Sequence, residues 1–180
     1  MTYRTIVADP PWDHSDGYPK RRGDGYLGGV SVEAIAYPTL PVNEICALPI
    51  SELCATDCRL FLWTTNRYLP DAFGVLGAWG FSYRQTLVWH KTNAAPFSGS
   101  VAVGSAEFLL VGVTGSPPVI AKASSSVISL GHHHHHSRKP EAFLDLVEQV
   151  SPGPYLELFA RRQRLGWDTW GNQALEHVAL

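Results

Sequence analysis

The sequence predicts an α/β fold in which helices cover both faces of one sheet. Five β-rich runs alternate with amphipathic helical patterns, and this alternation is typical of a sheet between two helical layers. With 180 residues, of which 45% are hydrophobic and 17% charged, the chain is long enough to form a core of its own. We therefore expect a single domain over residues 1–180.

Each predicted strand is a short β-rich run bounded by turn residues. The first run, Tyr3-Arg4-Thr5-Ile6-Val7-Ala8, stops at Asp9, and two prolines follow at once. Proline fixes φ and removes a backbone donor, so the strand must end there. The predicted strands cover residues 3–8, 58–64, 81–90, 106–113 and 154–159.

Two short helices and a longer one are predicted between the first strands. Pro41 is placed at the first helical position before Val42-Asn43-Glu44-Ile45, and a second short helix follows Pro49. Asn66 is a candidate N-cap for a longer helix that ends near Ala78. The apolar residues of this helix recur at helical spacing: Leu69, Phe73 and Leu76.

The clearest helical pattern opens at Pro140 and is ended by Ser151-Pro152-Gly153-Pro154. Ser137, just before it, is a candidate cap. Long irregular stretches remain at 10–40 and 92–105, and such loops in a compact domain are typical of functional lids. The predicted buried stripe of the helix consists of Phe143, Leu144, Leu146, Val147 and Val150.

Composition argues against several classes of protein. The net charge of −2 does not suit a cationic nucleic-acid clamp, although basic residues cluster locally at 20–22 and 161–164. Without an apolar stretch long enough for a bilayer or a signal-peptide pattern, we expect a cytoplasmic protein that does not bind membranes. The three cysteines, Cys46, Cys54 and Cys58, suggest neither a disulfide framework nor a metal site.

Asp9-Pro10-Pro11-Trp12 is the strongest functional signal, because it directly follows a predicted strand. Ligands bind at the carboxyl ends of strands in open α/β sheets. For a planar base with an exocyclic amine, the Asp9 carboxylate could accept one N–H and the Pro10 carbonyl the other. The Trp12 ring could stack on the base, and proline rigidity would fix these distances. A simple strand-terminating turn is the alternative.

A second set of polar residues lies near the C-terminus, in residues 155–173. Glu157, near a strand end, could accept hydrogen bonds from ribose hydroxyls. Asn172 and Gln173 each offer a donor and an acceptor to polar ligand groups. Lys139 precedes the clearest helix, and its ammonium group could face a ligand carboxylate.

Together these segments resemble the DPPW-type adenine-N6 methyltransferases, the family that includes the catalytic subunit of the messenger-RNA adenosine methyltransferase. The match covers nearly the whole chain, and the order and spacing of the segments agree. The matching segments are Asp9–Trp12, Tyr37–Leu40, Leu60–Trp63, Trp89 with Lys91–Asn93, Glu107–Val113, His136–Pro140, Ser151–Gly153, Glu157–Arg161 and Gly166–Gln173.

The resemblance implies a Rossmann-like methyltransferase sheet in permuted order, with the catalytic motif first and the methyl-donor motif last. It implies S-adenosylmethionine as the cofactor and adenine in nucleic acid as the substrate. The implied catalytic residues are Asp9, Pro10, Pro11 and Trp12, and the implied substrate contacts are Trp12, Tyr37 and Lys91. Asp9 and Lys139 would contact the methionine end of the cofactor. Its ribose and adenine side would be held by Glu157, Arg161, Asn172 and Gln173.

The sequence leaves alternatives open. DNA is favoured over RNA as the substrate, and target recognition must come from the loops or from a partner in a homo- or heterodimer. A catalytically silent nucleic-acid-binding subunit is the second hypothesis, and a metal-binding protein built on His132–His136 is the third. Gln163 and Arg164 depart from the family pattern, since some relatives have a histidine–asparagine pair there.

Overall fold

The computed structural model describes residues 1–13, 39–94, 101–131 and 139–171, which form a seven-stranded sheet and three α-helices. A short 3-10 helix, Ile50–Leu53, follows the first α-helix. The strands are β1 (Tyr3–Ala8), β2 (Cys54–Thr64), β3 (Ser82–Lys91), β4 (Ala106–Thr114), β5 (Val127–Leu130), β6 (Tyr155–Leu158) and β7 (Trp167–Trp170). The helices are α1 (Val42–Ala47), α2 (Leu69–Ala78) and α3 (Glu141–Val150).

The sheet has the strand order β5-β3-β4-β2-β1-β6-β7. β1 is parallel to β2 and β6, β6 is parallel to β7, and β3 is parallel to β5. Of the described strands, β4 alone runs antiparallel to its neighbours, β2 and β3. The carboxyl ends of the other strands therefore meet at the edge where β4 begins. Residues 9, 91, 107 and 157, far apart in the chain, are brought to this edge.

Helices cover both faces of the sheet, as the alternating sequence pattern predicts. Side chains alternate between faces along each strand, so Ile6 and Val7 of β1 pack in opposite layers. Ile6 belongs to the layer that contains α1 and α2, with Ile45 and Val75 in its core. Val7 belongs to the layer of α3, with Phe143. The predicted α/β architecture is confirmed.

All five predicted strands are present, but two further strands were not predicted. β5 and β7 are only four residues long, and each lies at an outer position of the sheet. β5 follows a serine-rich segment and is partly exposed, so its sequence lacks the signature of a buried strand. β2 begins at Cys54 rather than 58, and its register with β1 shifts between Tyr3 and Thr5.

Helix α2 differs from its predicted form at both its cap and its apolar stripe. It begins at Leu69 with Tyr68 as the N-cap, so the predicted cap Asn66 was wrong. Phe73 is 42% exposed, because the helix turns a stripe of smaller residues toward the sheet. The buried residues of α2 are Ala72, Val75 and Leu76.

Prolines precede α1 and α3 as the sequence predicts, but Pro41 and Pro140 are N-caps, so each helix begins one residue later. On α3, Phe143, Leu144 and Val147 are buried, and the remaining predicted stripe residues are partly buried. The alternative cap, Ser137, lies outside the described residues. None of the described helices is long and apolar enough to cross a bilayer.

Candidate active site

A cleft opens at the sheet edge where β1 and β6 end. Asp9 follows β1, Glu157 is the third residue of β6, and Lys139 precedes α3. The backbone N–H of Asp9 donates to the carbonyl of Leu158 at 3.4 Å, which joins the two strand ends. The lining residues include Val7, Asp9, Trp63, Lys139, Phe143, Glu157, Phe159, Arg161 and Arg162. Four of the six predicted cofactor residues therefore surround one cleft: Asp9, Lys139, Glu157 and Arg161.

Lys139 lies between two carboxylates that come from different strands. Its Nζ is 2.9 Å from Oδ1 of Asp9 and 3.2 Å from Oε2 of Glu107. Glu107 also forms an ion pair with Lys91 through its other oxygen. These four side chains form an alternating row of charges, Asp9, Lys139, Glu107 and Lys91, in which every side chain is largely buried or paired.

The ion pairs in this row shift the pKa values of its two central members, Lys139 and Glu107. Burial alone would lower the pKa of Lys139, but Asp9 and Glu107 outweigh it and raise that pKa well above its ordinary range. Burial would raise the pKa of Glu107, but Lys139 and Lys91 lower it below its ordinary value. Asp9 therefore faces a protonated lysine, whose Nζ lies 2.9 Å from its Oδ1.

Glu157 is in a different electrostatic environment, although it lines the same cleft. Burial raises its pKa to about 7, and Arg162 opposes this only in part. Among the described residues, its buried Oε2 has no hydrogen-bond partner. A buried acceptor without a partner is costly in a native protein and is typical of a site that a ligand completes.

The chain beyond β6 is held in a tight turn beside the cleft. Phe159 has φ 61°, a left-handed conformation that bulky residues rarely adopt. The N–H of Ala160 donates to the carbonyl of Trp170 at 3.0 Å, so the ends of β6 and β7 stay together. A Cβ at Gly171 would lie 2.5 Å from the N of Ala160, so only glycine fits there. The turn thus fixes where the chain leaves β7, directly before residue 172.

Known proteins are similar to nearly the whole chain, including the residues that line the cleft. Residues 3–173 match the family MT-A70. The chain belongs to the MT-A70 family. The Type II methyltransferase M.MunI of Mycoplasma sp is 32% identical over 94% of this chain and 76% of its own length. The N(6)-adenosine-methyltransferase MT-A70-like protein of Arabidopsis thaliana is 30% identical over 96% of this chain, and METTL3 of Homo sapiens, named as a catalytic subunit, is 29% identical over 95%.

This chain covers 24% of the Arabidopsis relative and 28% of human METTL3. The predicted membership in this methyltransferase family is confirmed, and so is the Rossmann-like α/β sheet. In this MT-A70 chain, the Asp-Pro-Pro-Trp motif follows β1 and the glutamate segment lies in β6, beside it.

Trp12 of the MT-A70 motif packs differently from the sequence-based expectation of an open aromatic plate. Its side chain is 4% exposed, and its ring stacks on Tyr68 with centroids 5.2 Å apart. The indole N–H donates to the carbonyl of Trp63 at 3.1 Å. Because burying a large apolar ring is strongly favourable, Trp12 joins the core and fixes the motif to β2. Base stacking by Trp12 stays a prediction.

The two prolines of the motif have well-defined carbonyl partners. The Pro10 carbonyl accepts the N–H of Trp12 at 2.8 Å, and the Pro11 carbonyl accepts the N–H of Leu40 at 2.9 Å. A carbonyl oxygen has two lone pairs, so Pro10 retains acceptor capacity for a substrate amine. The bond to Leu40 joins the motif to the chain that leads into α1.

Glu107 was not singled out as a site residue by sequence reasoning. Glu107 is the second residue of β4, and the residues that follow it in the strand are almost all apolar. An acidic residue at the start of an apolar strand was the only sequence feature that could have marked it as a site residue. Its proximity to Lys139 depends on the antiparallel direction of β4, which the sequence did not reveal. Lys91 joins the site through this residue, and its Nζ lies 4.9 Å from the centre of the Trp89 ring.

Three predicted site residues, Tyr37, Asn172 and Gln173, lie outside the described residues, as does His132–His136. Their predicted roles stay predictions.

Proposed function

We propose that this protein transfers the methyl group of S-adenosylmethionine to N6 of adenine in nucleic acid. The observation that carries the proposal is the Asp9 carboxylate, which lies at the end of β1 and pairs with Lys139 at 2.9 Å. Next to it, the Pro10 carbonyl has capacity for a second hydrogen bond. Two fixed acceptors suit an exocyclic amine with two N–H donors.

The same residues can direct the reaction. The bound cofactor would supply an electrophilic methyl group on a sulfonium. Asp9 and the Pro10 carbonyl accept the N–H groups of the amine, which orients its nitrogen and increases electron density there. Lys139, held by Glu107, fixes the position of the Asp9 carboxylate. Held by Asp9 and Lys139, the cofactor would supply the methyl group to the amine nitrogen and keep the electrons of the carbon–sulfur bond on sulfur, and the amine would lose one proton to solvent.

The residues of the cleft fit S-adenosylmethionine. Its methionine end carries an ammonium and a carboxylate, which suit Asp9 and Lys139 respectively. Its ribose carries two hydroxyl donors, and the partnerless Oε2 of Glu157 is a buried acceptor that could receive one. Arg161 lines the same cleft. By resemblance, Asn172 and Gln173 would complete the ribose and adenine side.

DNA is the substrate that we favour, with Trp12, Tyr37 and Lys91 as proposed contacts. This chain covers 76% of M.MunI, which is named a Type II methyltransferase. It covers only 28% of METTL3, which is named for adenosine, a ribonucleoside. METTL3 is also named a catalytic subunit, which supports the proposal that this chain works in a homo- or heterodimer. We place the reaction in the cytoplasm.

A transfer assay with tritiated S-adenosylmethionine tests the proposed function. DNA and RNA oligonucleotides of one sequence are offered separately, in single- and double-stranded form. We expect label in adenine-containing DNA and a weaker signal in RNA. Calorimetric binding of the cofactor without transfer to any nucleic acid would instead indicate the catalytically silent subunit.

A further inference from the structure

Arg164 lies in the turn between β6 and β7 and contacts three acids of α3. Its Nε and Nη2 form a fork on Glu148, at 2.9 Å and 2.8 Å. Its Nη2 also lies 2.6 Å from Asp145, and its Nη1 lies 3.3 Å from Glu141. The three acids are spaced four and three residues apart, so they lie on one face of the helix. We call Arg164, Glu141, Asp145 and Glu148 the Arg164 clamp.

The clamp reaches the cleft through a shared carboxylate. Oε2 of Glu141 contacts Arg164, and Oε1 of Glu141 contacts Nη1 of Arg162 at 2.7 Å. Arg162 lines the cleft beside Glu157, whereas the described lining of the cleft does not include Arg164. Glu141 therefore connects an arginine outside the cleft with one inside it.

A second contact holds the other side of the turn. The indole N–H of Trp167 donates to Oε1 of Glu148 at 2.7 Å, and the backbone N–H of Trp167 donates to the carbonyl of Arg164 at 3.1 Å. The second half of the turn is thus fixed to α3 by Arg162, Arg164 and Trp167. Because α3 begins two residues after Lys139, the same helix determines the position of two walls of the cleft.

We propose that Arg164 is a positioning residue for cofactor binding: the Arg164 clamp, acting through Glu141, holds Arg162 and the turn after β6 against the cleft. This inference rests on the proposed function. Arg164 binds α3 through three carboxylates. A forked arginine suits this role because its planar donors fix both distance and angle.

Calorimetric titration with S-adenosylmethionine tests the proposal on Arg164→Ala and on a control, Arg84→Ala. Arg84 is exposed near the amino end of β3, opposite the cleft edge, and the control removes the same charge. We expect Arg164→Ala to weaken cofactor binding about tenfold or more, and the control to change it less than about twofold. Equal affinities in both variants would overturn the inference, whereas a wild-type protein that binds no cofactor would overturn the proposed function as well.

Two further measurements separate positioning from general destabilisation. Arg164→Ala should raise the KM for S-adenosylmethionine while kcat and the KM for nucleic acid stay unchanged. In an Arg162→Ala background, the Arg164→Ala change should weaken cofactor binding clearly less than it does in the wild-type background, because the route through Glu141 is already lost. A full effect in that background would contradict the route through Glu141.

Milder variants keep the test decisive if Arg164→Ala does not fold. Glu148→Gln leaves Arg164 intact but weakens the fork, and Arg164→Lys keeps the charge without the fork. Both should weaken cofactor binding in the same direction, and both should increase hydrogen exchange of residues 161–166. Wild-type affinity and wild-type exchange in both variants would contradict the proposal.

Discussion

Asp9 is the residue on which the proposed chemistry depends. Asp9→Asn should lower kcat by about 100-fold or more, because an amide replaces one acceptor with a donor that opposes the amine. The fold should survive, since Glu107 still neutralises Lys139. Methyl-transfer kinetics and circular dichroism measure the two effects. Asp71→Asn, an exposed acid in the first turn of α2, is the control, and near-wild-type turnover of Asp9→Asn would remove Asp9 from the mechanism.

Glu157 should give the protein a specific pH dependence. Burial raises its pKa from an ordinary value of 4.5 to about 7, so the folded state binds an extra proton between these values. Its contribution to stability is therefore present at low pH and is lost as pH rises through this window. Glu157→Gln removes the dependence. The free energy of unfolding of the variant relative to wild type should rise by up to about 3 kcal/mol between pH 4.5 and 8.

Urea unfolding across this pH range makes the comparison, with the exposed Glu44→Gln as the control. Parallel pH curves for wild type and Glu157→Gln would show that Glu157 is ionised normally.

Trp12 should contribute to stability as well as to any contact with substrate. Because the ring is buried, Trp12→Ala should lower the free energy of unfolding by about 3–5 kcal/mol. Trp12→Phe keeps an aromatic ring but removes the donor to Trp63, so it should cost less. Denaturant unfolding measures both, and Tyr83→Ala, at a 45% exposed position, is the control. Wild-type stability in Trp12→Ala would contradict this contribution and leave the ring only a role in stacking on the substrate.

Gly171 directly follows β7 and packs so closely against the turn after β6 that no side chain fits there. A Cβ there would lie 2.5 Å and 2.6 Å from the backbone N and O of Ala160, and backbone atoms cannot yield as a flexible side chain can. Gly171→Ala should cost about 2 kcal/mol or more and weaken cofactor binding, because it displaces the chain before residue 172.

Gly74→Ala is the matched control for this change. In α2, a Cβ at Gly74 meets no atom within 4 Å, so the substitution should stabilise the protein by about 0.5–1 kcal/mol. Thermal unfolding and calorimetry with S-adenosylmethionine measure both variants. Equal stability and affinity in the two would contradict the close approach at Gly171.

The helices and strands that could be predicted from the sequence are those with a strong local pattern. β1 and α3 were predicted because an apolar run stops at prolines in one case and repeats at helical spacing in the other. β5 and β7 have four residues each, too few for a period to be visible. Their pairing depends on neighbouring strands, and this is tertiary information.

The fold of the whole chain brings together site residues that belong to separate segments of the sequence. Asp9 and Lys139 are 130 residues apart, and their contact follows from the packing of α3 beside the end of β1. The motif and the family resemblance predicted that both residues serve one ligand. Glu107 was missed because its place depends on the reversed direction of β4 and not on its local sequence. Residue types were therefore more predictable than the network of ion pairs that joins them.

Identification of the modified nucleoside is the decisive measurement for the proposed methylation of adenine at N6. The protein is incubated with S-adenosylmethionine carrying a deuterated methyl group and with DNA that contains all four bases. After enzymatic digestion, mass spectrometry identifies the labelled nucleoside. We expect trideuteromethyl on N6 of deoxyadenosine, with no such product from Asp9→Asn. Label found only on the exocyclic amine of cytosine would contradict it.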